Sequence, residues 1–156
     1  MNASSLCYLL LIDQVRLLPA LFGEVVIPEA VSRELQDEGA PSAARSWMSN
    51  PPEWLGIRSV VLGPDAQLDR LHSGEREAIL LAEQLKADLV VLDEKSARKV
   101  AAARGLILTG LVGILDEAAR RGLIELSEVV ERLRQTTFRA SPRLLKWLLG
   151  RHHGAR

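Results

Sequence analysis

A single cysteine, Cys7, stands in the whole sequence, so no disulfide can form within the chain. That fits a reducing cytosol and excludes a small secreted scaffold held by cross-links. Cys7 lies in an apolar run, which makes it a core residue rather than a nucleophile. Aromatic residues are sparse, and Trp47, Trp54 and Trp147 are too dispersed to form a platform for stacked bases; packing is the simplest role for each. Setting 20 basic against 20 acidic residues leaves no net charge, which removes any global pull towards nucleic acid. Long hydrophobic runs are missing as well. Residues 6–12 are the most apolar stretch near the amino end, well short of the roughly 20 residues a membrane-spanning helix needs, and Asp13 and Arg16 break the pattern just beyond it. No basic residues precede that stretch, as a secretory signal would require. A phosphate-binding glycine loop and a nucleophile elbow are both lacking, so chemistry by a serine or cysteine nucleophile has no support. The expectation is a soluble, cytoplasmic protein with no membrane partner.

What is present suits one globular domain over residues 1–156, with 47% hydrophobic residues and neither internal repeats nor a long linker. Short β-branched or leucine-rich runs at residues 25–27, 57–62, 89–92 and 106–108 read as strands. The last two are continuous apolar runs without alternation, as expected for strands covered on both faces of a parallel sheet. Helices are expected between them. One opens at Pro28 and Glu29 and runs through Glu38, ended by Gly39; others cover residues 43–48, 74–86 and 94–104, the last closed by Gly105. A further helix spans 111–121, closed by Gly122, and the next starts at Ser127. Ser141 and Pro142 make an N-cap and first turn for a final helix through Leu149. Alternating strand and helix predict an α/β class with a mainly parallel sheet containing the runs at Val25, Leu89 and Leu106.

In an open parallel sheet, ligands bind beyond the carboxyl ends of the strands. Asp93 sits at such a place, ending the run Leu89-Val90-Val91-Leu92 and beginning a helix, although a lone aspartate there is more often an N-cap. Glu77 lies near the start of the preceding helix, just before the apolar Ile79, Leu80, Leu81 and Ala82, with Glu75 read as its solvated neighbour. Glu34 comes two turns into the helix opened by Pro28, between Val31 and Leu35. Three acids beside buried faces in separate elements can converge on one cleft, or can each be a surface acid. Converging carboxylates repel unless a cation sits between them, and oxygen-only ligation points to a hard ion such as Mg2+ or Mn2+. Such an ion activates water and offsets charge on a phosphate during hydrolysis.

Beyond Glu131 there is no acidic residue, while Arg132, Arg134, Arg139, Arg143, Lys146, Arg151 and Arg156 are basic. This is either a solvated helix end that suits the helix dipole or a patch for phosphates or an acidic partner. Arg139, Arg143 and Arg151 are the residues assigned to RNA or partner binding on the second reading. The adjacent His152 and His153, without acidic or cysteine companions in sequence, read as flexible tail, and His72 as a surface residue in a turn.

Several segments together resemble the bacterial and archaeal PIN-domain family. They are Leu21-Phe22-Gly23-Glu24-Val25-Val26-Ile27-Pro28-Glu29-Ala30-Val31 with Glu34-Leu35, Gly74-Glu75-Arg76-Glu77-Ala78-Ile79, and Ala87-Asp88-Leu89-Val90-Val91-Leu92-Asp93-Glu94. Thr109-Gly110, Gly113-Ile114-Leu115 and Arg121-Gly122-Leu123-Ile124 fit the same branch, so the likeness covers nearly the whole chain. The resemblance implies a three-layer α/β/α fold and a divalent-metal nuclease acting on RNA, often the toxin of a VapBC-type toxin–antitoxin pair. It also implies a homodimer silenced by a small antitoxin. Carried over by position, Glu34, Glu77 and Asp93 match three of the family's acidic metal-site residues.

The departures bear on activity. Relatives begin with a strand ending in aspartate, followed by threonine or serine, where this chain has Asn2-Ala3-Ser4-Ser5-Leu6. Asn2 thus stands at the first metal-binding aspartate, as a neutral fourth ligand, and Ser4 at the hydroxyl that orients substrate or water. Only Met1 lies before it, so either the true start is further upstream or this protein lacks the strand that relatives place first. Leu111 replaces a threonine that relatives tend to carry after the equivalent of Gly110. The leading expectation is a Mg2+- or Mn2+-dependent endoribonuclease with a compromised site. The rival is a catalytically weak or inert PIN-like protein that binds RNA or a partner. A nucleotide-binding module is disfavoured by the lack of a phosphate loop.

Overall fold

The structure, a computed structural model, describes residues 1–138 and 142–152. Four short strands pair in parallel. β1 (Val25–Pro28) lies beside β2 (Leu55–Arg58), with Val25 opposite Leu55, and β3 (Val90–Val91) lies beside β4 (Leu108–Thr109). The β-branched run Val25-Val26-Ile27 favours extended backbone, and Pro28 both ends the strand and caps the next helix, α3 (Glu29–Gln36). Glu29 in its first turn suits the positive end of the helix. That helix stops two residues before the expected Glu38, where the Gln36 amide bonds back to the Ser32 carbonyl and hydroxyl.

β2 begins two residues before the expected run 57–62 and shares only Ile57 and Arg58 with it. Beyond Arg58 the chain leaves the sheet, and both backbone groups of Val61 pair with the Gln84 side-chain amide instead of a neighbouring strand. Helices α4 (Ser42–Ser49), α5 (Ser73–Leu85), α6 (Lys95–Ala103) and α7 (Leu111–Arg120) lie where patterning placed them. Gly105 (φ 78°) and Gly122 (φ 72°) come after α6 and α7 in the left-handed region that favours glycine. α8 (Leu126–Arg134) starts one residue before Ser127, and α9 (Pro142–His152) extends past Leu149; Ser141 lies outside the described residues.

The first 22 residues, where patterning marks no helix, form α1 (Ala3–Leu11) and α2 (Leu17–Phe22). Asn2 starts α1 by accepting the Ser5 backbone N–H on its side-chain oxygen. None of the helices among the described residues is long and apolar enough to cross a membrane.

β3 is covered on both faces. Val91 of β3 packs into a core built from α1, α2, α3, α7 and α8, while Val90 and the adjacent Leu92 pack into another built largely from α5 and α6. The sheet itself is not the single one expected. β1·β2 and β3·β4 are separate pairs, and Met1 and Asn2 lie between them. The Met1 ammonium donates to the Val26 carbonyl (3.3 Å) and the Asn2 N–H to the Val91 carbonyl (3.1 Å). Two residues span the gap but are too few to continue a ladder along it.

Candidate functional site

The parallel strands direct β1 into α3 and β3 into α6, so Glu34 and Asp93 lie beyond the carboxyl ends of strands in the two pairs. Asp93 is held by two donors. Its Oδ1 accepts the backbone N–H of Leu111 (2.8 Å), the first residue of α7, and its Oδ2 accepts the Ser5 hydroxyl from α1. The position where relatives carry threonine thus supplies a main-chain donor here. Gly110 makes room for this: a Cβ there would stand 2.7 Å from Asp93 Oδ1 and 2.9 Å from Arg98 Nη1. The Arg98 guanidinium is itself fixed by donation to the Leu92 carbonyl (2.8 Å).

Asn2 joins the same group. Its Oδ1 lies 2.7 Å from Ser5 Oγ, and its Nδ2 donates to Ser4 Oγ (3.2 Å). Ser5 is fully buried, and its one hydroxyl proton serves Asp93 or Asn2 but not both at once. The hydroxyl beside Asp93 is therefore that of Ser5, not Ser4. Until the helix phase is known, nothing in a sequence chooses between adjacent serines.

A second group surrounds Glu34. A Cβ at Gly74, in the first turn of α5, would overlap Glu34 Oε1 and stand 2.9 Å from its carboxyl carbon. His72, just before that helix, lies 3.6 Å from Glu34 Oε1 and 3.0 Å from Glu75 Oε1. It is an exposed residue, as expected, but it bridges two carboxylates. Glu75 corrects the sequence reading outright: it is 3% exposed rather than solvated. Burial raises its carboxyl above the ordinary range; His72 pulls it partly back, and the charges of Glu94 and Glu34 push it up again. Glu75 thus senses both the α3 side and the end of β3. A histidine three residues before it was the available signal, since i and i+3 share a helix face. Glu34 also acts on α1, where burial and then its charge raise the Cys7 thiol. Cys7 is half-buried against the core.

Glu77 is buried one turn further along α5, with Arg33 of α3 3.8 Å from its Oε2. The donors that hold Asp93 come from α1 and α7, whereas Glu34 and Glu77 meet His72 and Arg33, so the two groups share no partner in these contacts. Among the described residues no three acid, histidine or cysteine side chains form a group able to hold an ion. The chemistry of the donors nevertheless suits a hard cation. Glu34 Oε1 and Glu75 Oε2 are buried without accepting a hydrogen bond, and such oxygens gain most from an ion.

The basic surface is less free than its sequence suggested. Arg132 pairs with Glu128 (3.2 Å) and Arg134 with Glu131 (3.4 Å). Arg151 pairs with Asp116 (3.2 Å) and lies over the Trp147 ring, while Arg143 is exposed and Arg139 lies outside the described residues. His152 is no loose tail: it ends α9 and its Nε2 stands 2.7 Å from Asp116 Oδ1. His153 lies outside the described residues. Trp47 and Trp54, seven residues apart, pack together at 5.8 Å between ring centres.

Comparison with known proteins adds one match. The DUF3368 family model, described as a PIN domain, matches residues 1–153. No curated protein and no solved structure matches. A match over nearly the whole length agrees with the parallel α/β architecture and with acids placed beyond the strand ends, and on it the chain belongs to the PIN-domain family.

Proposed function

We propose that this protein is a Mg2+- or Mn2+-dependent endoribonuclease, with Glu34, Glu77 and Asp93 holding the metal and Asn2 as a neutral fourth donor. The observation that carries the reading is the pair of glycines, Gly74 and Gly110, at which a Cβ would crowd the carboxylates of Glu34 and Asp93 beyond the strand ends. A cation bound there supplies Lewis acidity, lowering the pKa of water and offsetting charge on the scissile phosphate. The chain's own residues set the acceptors: Leu111 N–H and Ser5 Oγ orient Asp93, and Arg33 sets a positive charge beside the buried Glu77. Glu75 adds a fourth carboxyl beside Glu34. Arg139, Arg143 and Arg151 are the basic residues assigned to an RNA backbone or a partner, and Arg143 is exposed. The reading extends to a cytoplasmic toxin that forms a homodimer and is silenced by a small antitoxin.

The test is cleavage of a mixed RNA pool with manganese, with and without chelator, for the chain and for its Glu34→Gln, Glu77→Gln and Asp93→Asn variants. Cleavage lost with chelator and in each variant supports the reading; cleavage that survives all three substitutions ends it. A weak or inert RNA- or partner-binding protein is the second reading. It is favoured by the hydrogen bonds that Asn2 Oδ1 and Asp93 already make within the protein, from the Ser5 and Leu111 backbone N–H groups and from the one Ser5 hydroxyl proton that lies between them. RNA binding without chelator-sensitive cleavage would select it.

A further inference from the structure

Of the three tryptophans, Trp47 and Trp54 pack against each other, but Trp147 on α9 is 52% exposed and lies outside both cores. The inner face of α9 is accounted for by Leu145 and Leu148, which are buried. Arg143, Trp147 and Arg151 follow one another at four-residue steps and are all exposed, so they share the outer face, with the exposed Lys146 beside them. Arg143 and Arg151 stand about 12 Å apart along the axis at ~1.5 Å per residue, one on each side of the ring. The Arg151 guanidinium lies over the indole, its carbon 5.4 Å from the ring centre, and its Nε is 3.2 Å from Asp116 Oδ1. Asp116 is already shared with His152, and among the described residues no acidic side chain pairs with Arg143 or Lys146. A half-exposed indole is thus held among cations that the protein itself does not neutralise.

We infer that the outer face of α9 is a nucleobase platform, on which Trp147 stacks one unpaired base of an RNA strand while Arg143, Lys146 and Arg151 meet the phosphates on either side. The inference rests on the reading of RNA as the substrate and adds the residue that holds a base. Phosphate contacts alone need no aromatic ring, whereas a ligand that alternates charge with flat π faces uses both kinds of group. One ring serves one base, so the dispersal of the three tryptophans along the sequence is no obstacle. Arg151 adds its charge to the stack, and Asp116 holds it in place before any ligand arrives. A second copy of the chain fits this face poorly, because a self-complementary contact would set Arg143, Lys146 and Arg151 against their own equivalents. A lipid surface fits poorly too, since α9 packs its Leu145 and Leu148 face into the protein and keeps no continuous apolar face to enter a bilayer. One helix links the platform to the acidic residues. α7 supplies the Leu111 N–H that holds Asp93 and, about 8 Å further along its axis, the Asp116 that holds Arg151.

The experiment titrates the full chain with a fluorescein-labelled, single-stranded oligoribonucleotide of mixed sequence, in chelator, and follows anisotropy over a series of salt concentrations. Trp147→Leu is expected to weaken binding at least about fivefold with the salt slope unchanged, because a base contact is lost and no phosphate contact is. Trp147→Tyr keeps a stacking ring and should recover most of the affinity. RNA should quench the parent's indole fluorescence, and that quench should be lost in Trp147→Leu. Thermal melts of both variants should match the parent, since the ring lies outside the cores. No binding by the parent, unchanged affinity in Trp147→Leu, or an equal loss in Trp147→Tyr would overturn the inference. So would an effect of Trp147→Leu confined to dimer formation in sedimentation, or to binding of anionic phospholipid vesicles, which would give this face to a second copy or to lipid. Cleavage is measured apart, with manganese. Trp147-dependent binding without cleavage removes the nuclease reading alone, and Glu34-dependent cleavage with Trp147-independent binding removes this inference alone.

Discussion

Adding one methyl group at Gly74 perturbs the carboxylate arrangement without removing any carboxylate. Gly74 is the second residue of α5, and alanine there favours the helix by up to about 1 kcal/mol over glycine. Its Cβ would overlap Glu34 Oε1, with the carboxyl carbon at 2.9 Å and Oε2 at 3.4 Å. These atoms are the far end of a flexible side chain, so the helix keeps its place and Glu34 withdraws. Rotation off its present rotamer costs about 0.5–1.5 kcal/mol, which roughly cancels the helix gain. Global stability is therefore expected to change by less than about 1 kcal/mol. The Glu34 carboxylate, however, moves by more than about 1 Å, a displacement that at a reacting centre costs on the order of 100-fold in rate. The assay pairs thermal unfolding with manganese titration by calorimetry and manganese-dependent RNA cleavage. Gly39→Ala is the control, because a Cβ there meets Asp37 only at an ordinary 3.5 Å. If Gly74→Ala binds manganese and cuts RNA like the parent while melting normally, Glu34 is not at the metal and the reasoning fails.

Gly110→Ala behaves differently, because its Cβ also presses on the Leu92 backbone carbonyl at 3.3 Å; stability should fall by about 1–3 kcal/mol along with manganese binding, and an unchanged melt would contradict the packing described. Asn2→Asp places a second carboxylate across the Ser5 hydroxyl from Asp93, so it should lower the metal-free melting temperature and enlarge the rise on adding manganese. An identical manganese response in both chains would separate Asn2 from the metal. It should also raise cleavage modestly, and an apolar strand before Met1 should raise it further. For pH, the Met1 amine is neutral in the folded chain and protonated in the unfolded chain between about 5 and its ordinary 8.0. The unfolded state binds the extra proton, so stability should rise through that window, by up to ~4 kcal/mol, and acetylating the amine should flatten the rise in a series of melts. Arg143→Glu should weaken RNA binding and flatten its salt dependence without affecting melting, whereas Arg151→Glu should also destabilise, because it sets an acid against Asp116. An unchanged salt slope for Arg143→Glu would leave that residue a solvated cation.

Local chemistry determined much of this protein within the sequence. Pro28 ends a strand and opens a helix, and Gly105 and Gly122 stop helices through backbone freedom that needs no distant partner. The apolar runs at Val25 and Leu89 declared buried parallel strands, and the motifs around Glu34, Glu77 and Asp93 carried the family. Tertiary structure decided what depends on a partner far along the chain. Whether the strands made one sheet or two rested on what lies between Val26 and Val91, and two residues supply only two hydrogen bonds there. Glu75 looked solvated because neighbours in sequence do not reveal that Glu34, far earlier in the chain, and Glu94 press upon it. Ser5 rather than Ser4 reaches Asp93 because the helix phase of α1 against β3 selects one of two adjacent hydroxyls. His152 found Asp116 for the same reason: a charge is satisfied by whatever the packed chain brings within reach, and periodicity along a sequence does not encode that distance.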